Sequence, residues 1–108
     1  KNIEILDYKT GNNMLNEKQL AQDLQLTFYA LAASEVHDEI LNRNPKDVLL
    51  SLCYLDQQKK LTTTRTKEQL DEAKKIILEK VDTISKSDFM CSGSSICKNC
   101  EYKMLCRA

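Results

Sequence analysis

Ile3-Glu4-Ile5-Leu6-Asp7-Tyr8-Lys9-Thr10-Gly11 opens the chain, and its reading decides the fold. The run is short and largely apolar, and it ends at Gly11-Asn12-Asn13, the pattern of a strand closed by a turn. Side chains alternate along a strand, so Ile3, Ile5, Asp7 and Lys9 share one face. An apolar face therefore turns ionic at its carboxyl end. A carboxylate in that position can hold a divalent cation. A Lys two residues on can orient water or stabilise charge developing on a phosphate. An ordinary salt bridge at a strand end has the same residues, so Asp-x-Lys alone does not define a function.

Downstream of this strand, residues 16–42 read as a long helix. Leu20, Leu24, Phe28 and Leu31 recur at helical spacing and define its apolar face. Asn16 with Gln19 forms a capping pair at its start, and Asn44-Pro45 closes it. Gln22, Gln25 and Tyr29 fall at i, i+3 and i+7, a polar stripe beside the apolar one. Amide and phenol groups there can meet phosphates or hold a Lys side chain. The same stripe is also what a plain polar helix border looks like.

Val48 to Leu55 is apolar almost throughout, as in a strand buried on both faces. Cys53 within it reads as a core thiol. Asp56-Gln57-Gln58 is a short polar connector to a second strand from Lys60 to Arg65, and the two runs are expected to pair as a hairpin. Thr66 with Gln69 is a capping box for a helix reaching about Lys86. Its apolar face carries Leu70, Ala73, Ile77, Val81 and Ile84, and its Lys and Glu residues read as a solvated face. The order is strand, long helix, two strands, helix, tail: an α/β arrangement.

The 108 residues carry 16 Lys+Arg against 16 Asp+Glu. A neutral whole chain gives no bulk attraction to nucleic acid. The balance is uneven along the chain, however. Residues 1–44 hold four basic and seven acidic side chains, and residues 45–108 hold twelve and nine. No apolar run approaches the roughly 18–20 residues of a membrane span, so no membrane partner is expected. The chain starts at Lys1 without an initiator Met or leader, and reads as an excised part of a longer soluble, cytoplasmic protein.

Four of the five cysteines, Cys91, Cys97, Cys100 and Cys106, fall in the last 18 residues. A disulfide framework would spread them through the chain. In Cys97-Lys-Asn-Cys100-Glu-Tyr-Lys-Met-Leu-Cys106 a two-residue and a five-residue spacer let three thiolates reach one metal centre. A fourth ligand would be Cys91 or a group elsewhere in the full protein, and cysteines that bind no metal are the plain alternative. Spacing does not separate zinc from an iron–sulfur cluster.

Taken together, these features resemble the RecB-like nucleases of the PD-(D/E)xK superfamily, in the branch with a C-terminal iron–sulfur staple that includes AddB-type helicase–nuclease subunits and CRISPR-adaptation nucleases. Ile5-Leu-Asp7-Tyr-Lys9-Thr-Gly11 looks like the family's Asp-x-Lys strand with its Thr-Gly extension. Gln25-Leu-Thr-Phe-Tyr29 matches its Gln-x-x-x-Tyr helix motif, and Cys97-x2-Cys100-x5-Cys106 matches its last three cluster ligands. The resemblance spans essentially the whole chain.

It implies a restriction-endonuclease-like mixed sheet flanked by helices, here partial. Residues 1–108 would be the C-terminal part of one nuclease domain, with a core over 1–86 and a Cys-rich tail over 87–108. The function implied is that of a metal-dependent DNA exonuclease of repair and recombination, joined to a helicase. Asp7, with the Tyr8 carbonyl, would ligate Mg2+ or Mn2+. Lys9 would position water or stabilise phosphate, and Gln25 and Tyr29 would support Lys9 and touch DNA. Cys97, Cys100 and Cys106, with Cys91 uncertain, would hold a four-iron cluster, or zinc as the alternative.

The family's second metal-binding acid lies on a strand before Asp-x-Lys and is not in this sequence, so the chain is expected to be inactive alone. A zinc-binding interaction module accounts for the cysteines but leaves Asp7, Lys9, Gln25 and Tyr29 as coincidence. A catalytically inactive structural subunit is the other alternative.

Overall fold

The alternating burial of the first segment is what builds the sheet. The computed structural model describes residues 2–90 and 93–106. Strand β1, Ile3–Lys9, turns Ile3, Ile5, Asp7 and Lys9 to the half-buried side and Glu4, Leu6 and Tyr8 outward. Strand β2, Val48–Tyr54, lies parallel to it in the register Ile3↔Val48 through Lys9↔Tyr54. Strand β3, Lys59–Thr63, runs antiparallel to β2, with Tyr54 opposite Lys59 and Leu50 opposite Thr63. The mixed sheet has the order β1-β2-β3. Its central strand buries Val48, Leu50, Ser51, Leu52 and Tyr54, the two-sided burial that its nearly continuous apolar run predicts. Cys53 is half-buried rather than a fully enclosed core thiol.

Parallel strands need a long crossover, and the helical segment between β1 and β2 supplies it. The structure corrects the expected single helix over 16–42. Helix α1 spans Glu17–Gln22 and helix α2 spans Leu24–Glu35, with Asp23 between them in an extended conformation (φ −62°, ψ 123°). The Asp23 carboxylate caps α2 by accepting the Leu26 N–H at 2.9 Å, satisfying a donor the new helix start would otherwise leave open. The break resets the helical phase. Leu24 and Phe28, expected on the buried stripe, are 56% and 45% exposed, and Leu26, Thr27, Ala30 and Ala33 face inward instead.

Helix α2 ends at Glu35 because Val36 turns extended and Asp38 then captures the N–H groups of Ile40 and Leu41. Both expected capping boxes form. Asn16 and Gln19 exchange side-chain and backbone bonds at 2.9 Å, and Thr66 and Gln69 do so at 2.8 and 3.2 Å.

Leu20, Leu26, Ala30 and Ala33 pack with Val48, Leu50, Leu52, Tyr54 and Leu70 as one core. The side chain of Arg65 enters the same interior and is only 2% exposed. Its Nη2 donates to the Leu20 and Asp23 carbonyls at 3.0 and 3.2 Å, its Nε to Thr27 Oγ1 at 2.9 Å, and its Nη1 to Thr64 O at 3.1 Å. Burial pulls the guanidinium pKa below its ordinary value, and the Asp23 charge opposes that pull.

The chain divides into two compact units, Lys1–Lys75 and Ile76–Ala108. Helix α3, Lys67–Lys86, begins in the first and continues into the second. Leu70 and Ala73 are buried and Ile77 is half-buried, whereas Val81 and Ile84, expected on the same buried face, are exposed. In the second unit a 3₁₀ turn over Ser95–Asn99 leads into further turns closed by Lys103 N–H to Cys100 O and Cys106 N–H to Tyr102 O. Among the described residues no helix is long and apolar enough to cross a membrane.

Candidate active site

The carboxyl end of β1 meets the first turns of α2, and two side chains from each element meet there. Asp7 and Lys9 stand on one strand face, with the Lys9 ammonium 3.4 Å from Asp7 Oδ2. Gln25 and Tyr29 stand one turn apart on α2. Lys9 Nζ donates to Gln25 Oε1 at 2.7 Å, and the Tyr29 hydroxyl donates to Asp7 Oδ2 at 3.3 Å. The four residues picked out in the sequence thus form a closed pairing between strand and helix. Gln22 does not join them. It lies at the end of α1, before the Asp23 break, so its expected stripe with Gln25 and Tyr29 is not continuous.

The arrangement separates two electrostatic tasks. Asp7 keeps only 13% of its side chain exposed, whereas Lys9 keeps 37%. Gln25 is a neutral acceptor, so it fixes the ammonium without cancelling its charge. Lys9 can then aim a positive charge at an incoming anion. Among the described residues both contacts of the Asp7 carboxylate use Oδ2, which leaves Oδ1 for a cation. Lys9 O accepts from Leu55 N–H at 3.0 Å, on the β2 side. Strand alternation turns the Tyr8 carbonyl to the opposite, outer edge of β1.

The backbone that follows Lys9 is clasped by the β2–β3 turn. Gly11 N–H donates to Asp56 Oδ2 at 2.6 Å, and Gln57 Nε2 donates to Gly11 O at 2.8 Å. Gly11 has φ +98°, a conformation that disfavours any side chain. Tyr54 Oη accepts the Leu15 N–H at 3.0 Å and ties down the rest of this loop. In the sequence Asp56-Gln57-Gln58 reads as a short polar connector, and nothing local marks it as a clasp. Asp23 was missed although an Asp three residues before a helical N–H is an ordinary cap signal. Arg65 carried no sequence signal at all.

The reverse face of the sheet holds a second ionic cluster. Glu4 Oε1 accepts from Lys60 Nζ at 2.7 Å and from Ser51 Oγ at 2.6 Å, and Ser51 lies 2.8 Å from Thr62 Oγ1. The Lys60 bond, with help from Ser51, holds the Glu4 carboxyl below its usual range, and the Glu4 bond raises Lys60.

A family model for the PD-(D/E)XK nuclease superfamily matches residues 1–107. The chain belongs to that superfamily. No curated protein matches it. The three-stranded mixed sheet with flanking helices is consistent with the restriction-endonuclease-like fold of the PD-(D/E)XK nucleases, which generally act on DNA with Mg2+ or Mn2+. One carboxylate suits Mg2+, which keeps several waters and takes few protein ligands. The family's chemistry thus fits Asp7 as one ligand. That ion would polarise the phosphate and lower the pKa of a bound water.

The cysteines stand differently. Cys97 and Cys100 are half-buried and Cys106 is exposed. Among the described residues no group of three or more His, Cys, Asp or Glu side chains is placed to hold a metal. Cys91 lies outside the described residues.

Proposed function

We propose that this chain is the Asp-x-Lys half of a metal-dependent DNA exonuclease of the RecB-like, AddB-like branch, working with a helicase in repair and recombination. The observation that carries the reading is the Lys9–Gln25 bond of 2.7 Å beside Asp7 and Tyr29. Residues far apart in the chain converge on one ammonium, in the pairing that phosphodiester hydrolysis calls for. Asp7 and the Tyr8 carbonyl bind the cation, and Lys9 holds the attacking water or the phosphate oxygen. Gln25 and Tyr29 keep these two groups in place and face the DNA strand.

A second carboxylate completes the metal site. Its natural place is a strand along the outer edge of β1, which among the described residues pairs only with β2. With that acid missing, the 108-residue chain does not cleave DNA. The natural protein that carries it degrades linear duplex from its ends in Mn2+ or Mg2+, and EDTA abolishes the activity. Metal-dependent cleavage by the isolated chain, lost on Lys9→Ala, overturns the incompleteness of the site. Absence of cleavage by the natural protein overturns the nuclease reading.

Cys97, Cys100 and Cys106 are proposed to hold an iron–sulfur cluster that ties down the tail, since thiolate binding of a metal is also folding energy. Anaerobic purification of the natural protein then yields bound iron and visible absorbance. Stoichiometric zinc without iron replaces the cluster by a zinc site.

A further inference from the structure

The geometry points to Arg65 as a positioning residue of this site, one that sets Gln25 against Lys9 by locking the joint between α1 and α2. The inference rests on the nuclease reading of Asp7 and Lys9, and goes beyond it in naming what holds the Lys9 partner in register. Arg65 sits at the start of the segment leading from β3 into α3, far in sequence from the joint it binds. It is 2% exposed. A cation that deep is retained only where its donors are met. The joint meets them. Nη2 reaches the Leu20 carbonyl, which at the helix break takes a long 3.4 Å bond from Asp23 N–H, and the Asp23 carbonyl, which Thr27 N–H meets from α2 at 3.1 Å, and Nε reaches Thr27 Oγ1. Thr27 Oγ1 in turn donates to Asp23 O at 2.8 Å.

Asp23 and Thr27 flank Gln25 on both sides along the chain. The guanidinium therefore grips the first turn of α2 on its inner side, while Gln25 projects from that same turn to Lys9 Nζ at 2.7 Å. Among the described residues two polar groups aim Lys9 Nζ, Gln25 Oε1 and Asp7 Oδ2. A displacement of this turn by about 1 Å moves the neutral partner out of hydrogen-bond reach, and misplacement of that size costs about a hundredfold in rate. Arg65 is too deeply buried to touch DNA, so its effect on the reaction passes through Gln25.

A double-mutant cycle in the natural protein tests this, with end-dependent cleavage of linear duplex in Mn2+ as the assay. Arg65→Lys keeps the charge and loses the fork. It is expected to lower kcat about 10- to 100-fold with KM changed less than about threefold. In the Gln25→Ala background the same substitution is expected to add less than about threefold, because the residue it acts through is gone. Equal losses in both backgrounds overturn the inference.

A wild-type protein that does not cleave sinks the nuclease reading alone, and a second readout then decides. The side-chain amide resonance of 15N-labelled Gln25 shifts on Arg65→Lys if Arg65 sets it. An unmoved resonance overturns the inference. If Arg65→Lys fails to fold, Thr27→Val removes the Nε acceptor at nearly constant volume and is put through the same cycle.

Discussion

The two faces of β1 each carry a Lys–carboxylate pair, and the pairs are built in opposite ways. On the outer face Glu4 and Lys60 close to 2.7 Å, and Ser51 adds a second donor to the same carboxylate oxygen. Each charge is spent on the other. On the inner face Lys9 and Asp7 stand 3.4 Å apart, and each turns to a neutral partner on α2 for support. The looser pair lies where a helix shields one side and leaves the ammonium accessible. Of two ion pairs, the shorter is not by that the better placed to act on a substrate. A charge that is to act on a substrate must be held without being neutralised.

The strongest way to break this comparison is to remove each lysine in turn. Lys9→Ala in the natural protein is expected to lower metal-dependent cleavage by about 10²–10⁴-fold. Lys60→Ala is expected to leave cleavage within about twofold. Comparable losses from both would show that the two faces are not functionally distinct. Circular dichroism on the same samples checks that the fold persists.

The neutral partners come next. Tyr29→Phe deletes a single hydroxyl and is expected to reduce kcat about 5- to 10-fold, the equivalent of one modest hydrogen bond of about 1 kcal/mol. Gln25→Ala frees the Lys9 ammonium and is expected to cost more than Tyr29→Phe, by up to about a further tenfold. Steady-state kinetics in Mn2+ ranks them. A larger loss at Tyr29 would move the main positioning role from Gln25 to the Asp7 side.

The smallest expected effect belongs to the outer pair, and it is a stability effect with a defined pH window. The Glu4 pKa is depressed on folding, so its contribution is present above the ordinary carboxylate value and is lost as pH falls through the folded pKa. The Lys60 pKa is raised, so its contribution is complete below the ordinary Lys value and is lost as pH rises through the folded pKa. The pair therefore acts between about pH 4.3 and about pH 10.4. Glu4→Gln should lower Tm slightly at pH 7 and by less at pH 3, and the difference should shrink in high salt because the pair is exposed. Thermal melts at the two pH values measure it.

Much of the sheet was legible because its rules are local. Alternation placed Asp7 and Lys9 on the face of Ile3 and Ile5, and the run of Val48–Tyr54, apolar but for Ser51, announced a strand buried on both faces. Asn16 with Gln19 and Thr66 with Gln69 announced helix starts, because a cap satisfies backbone donors within one turn. The long helix misled for a physical reason. Periodicity across Leu20, Leu24 and Phe28 fits a continuous helix, but Asp23 gains a cap on its own side chain and the two Arg65 carbonyl bonds stabilise the break. A periodicity count sees neither. The exposure of Val81 and Ile84 on α3 was equally hidden, since an apolar stripe states what could be buried and not what covers it.

By itself the sequence determined the strand alternation, the strand buried on both faces, the two capping boxes and the residue types needed at the site. All of these follow from bonds and steric preferences within a few residues. The parallel pairing of β1 and β2, the break at Asp23 that takes Gln22 off the stripe of Gln25 and Tyr29, the clasp of the β2–β3 turn on Gly11 and the burial of Arg65 under the α1–α2 joint were set by the three-dimensional packing. Those outcomes depend on contacts across long stretches of chain, where packing of the shared core selects among arrangements that local preferences leave open.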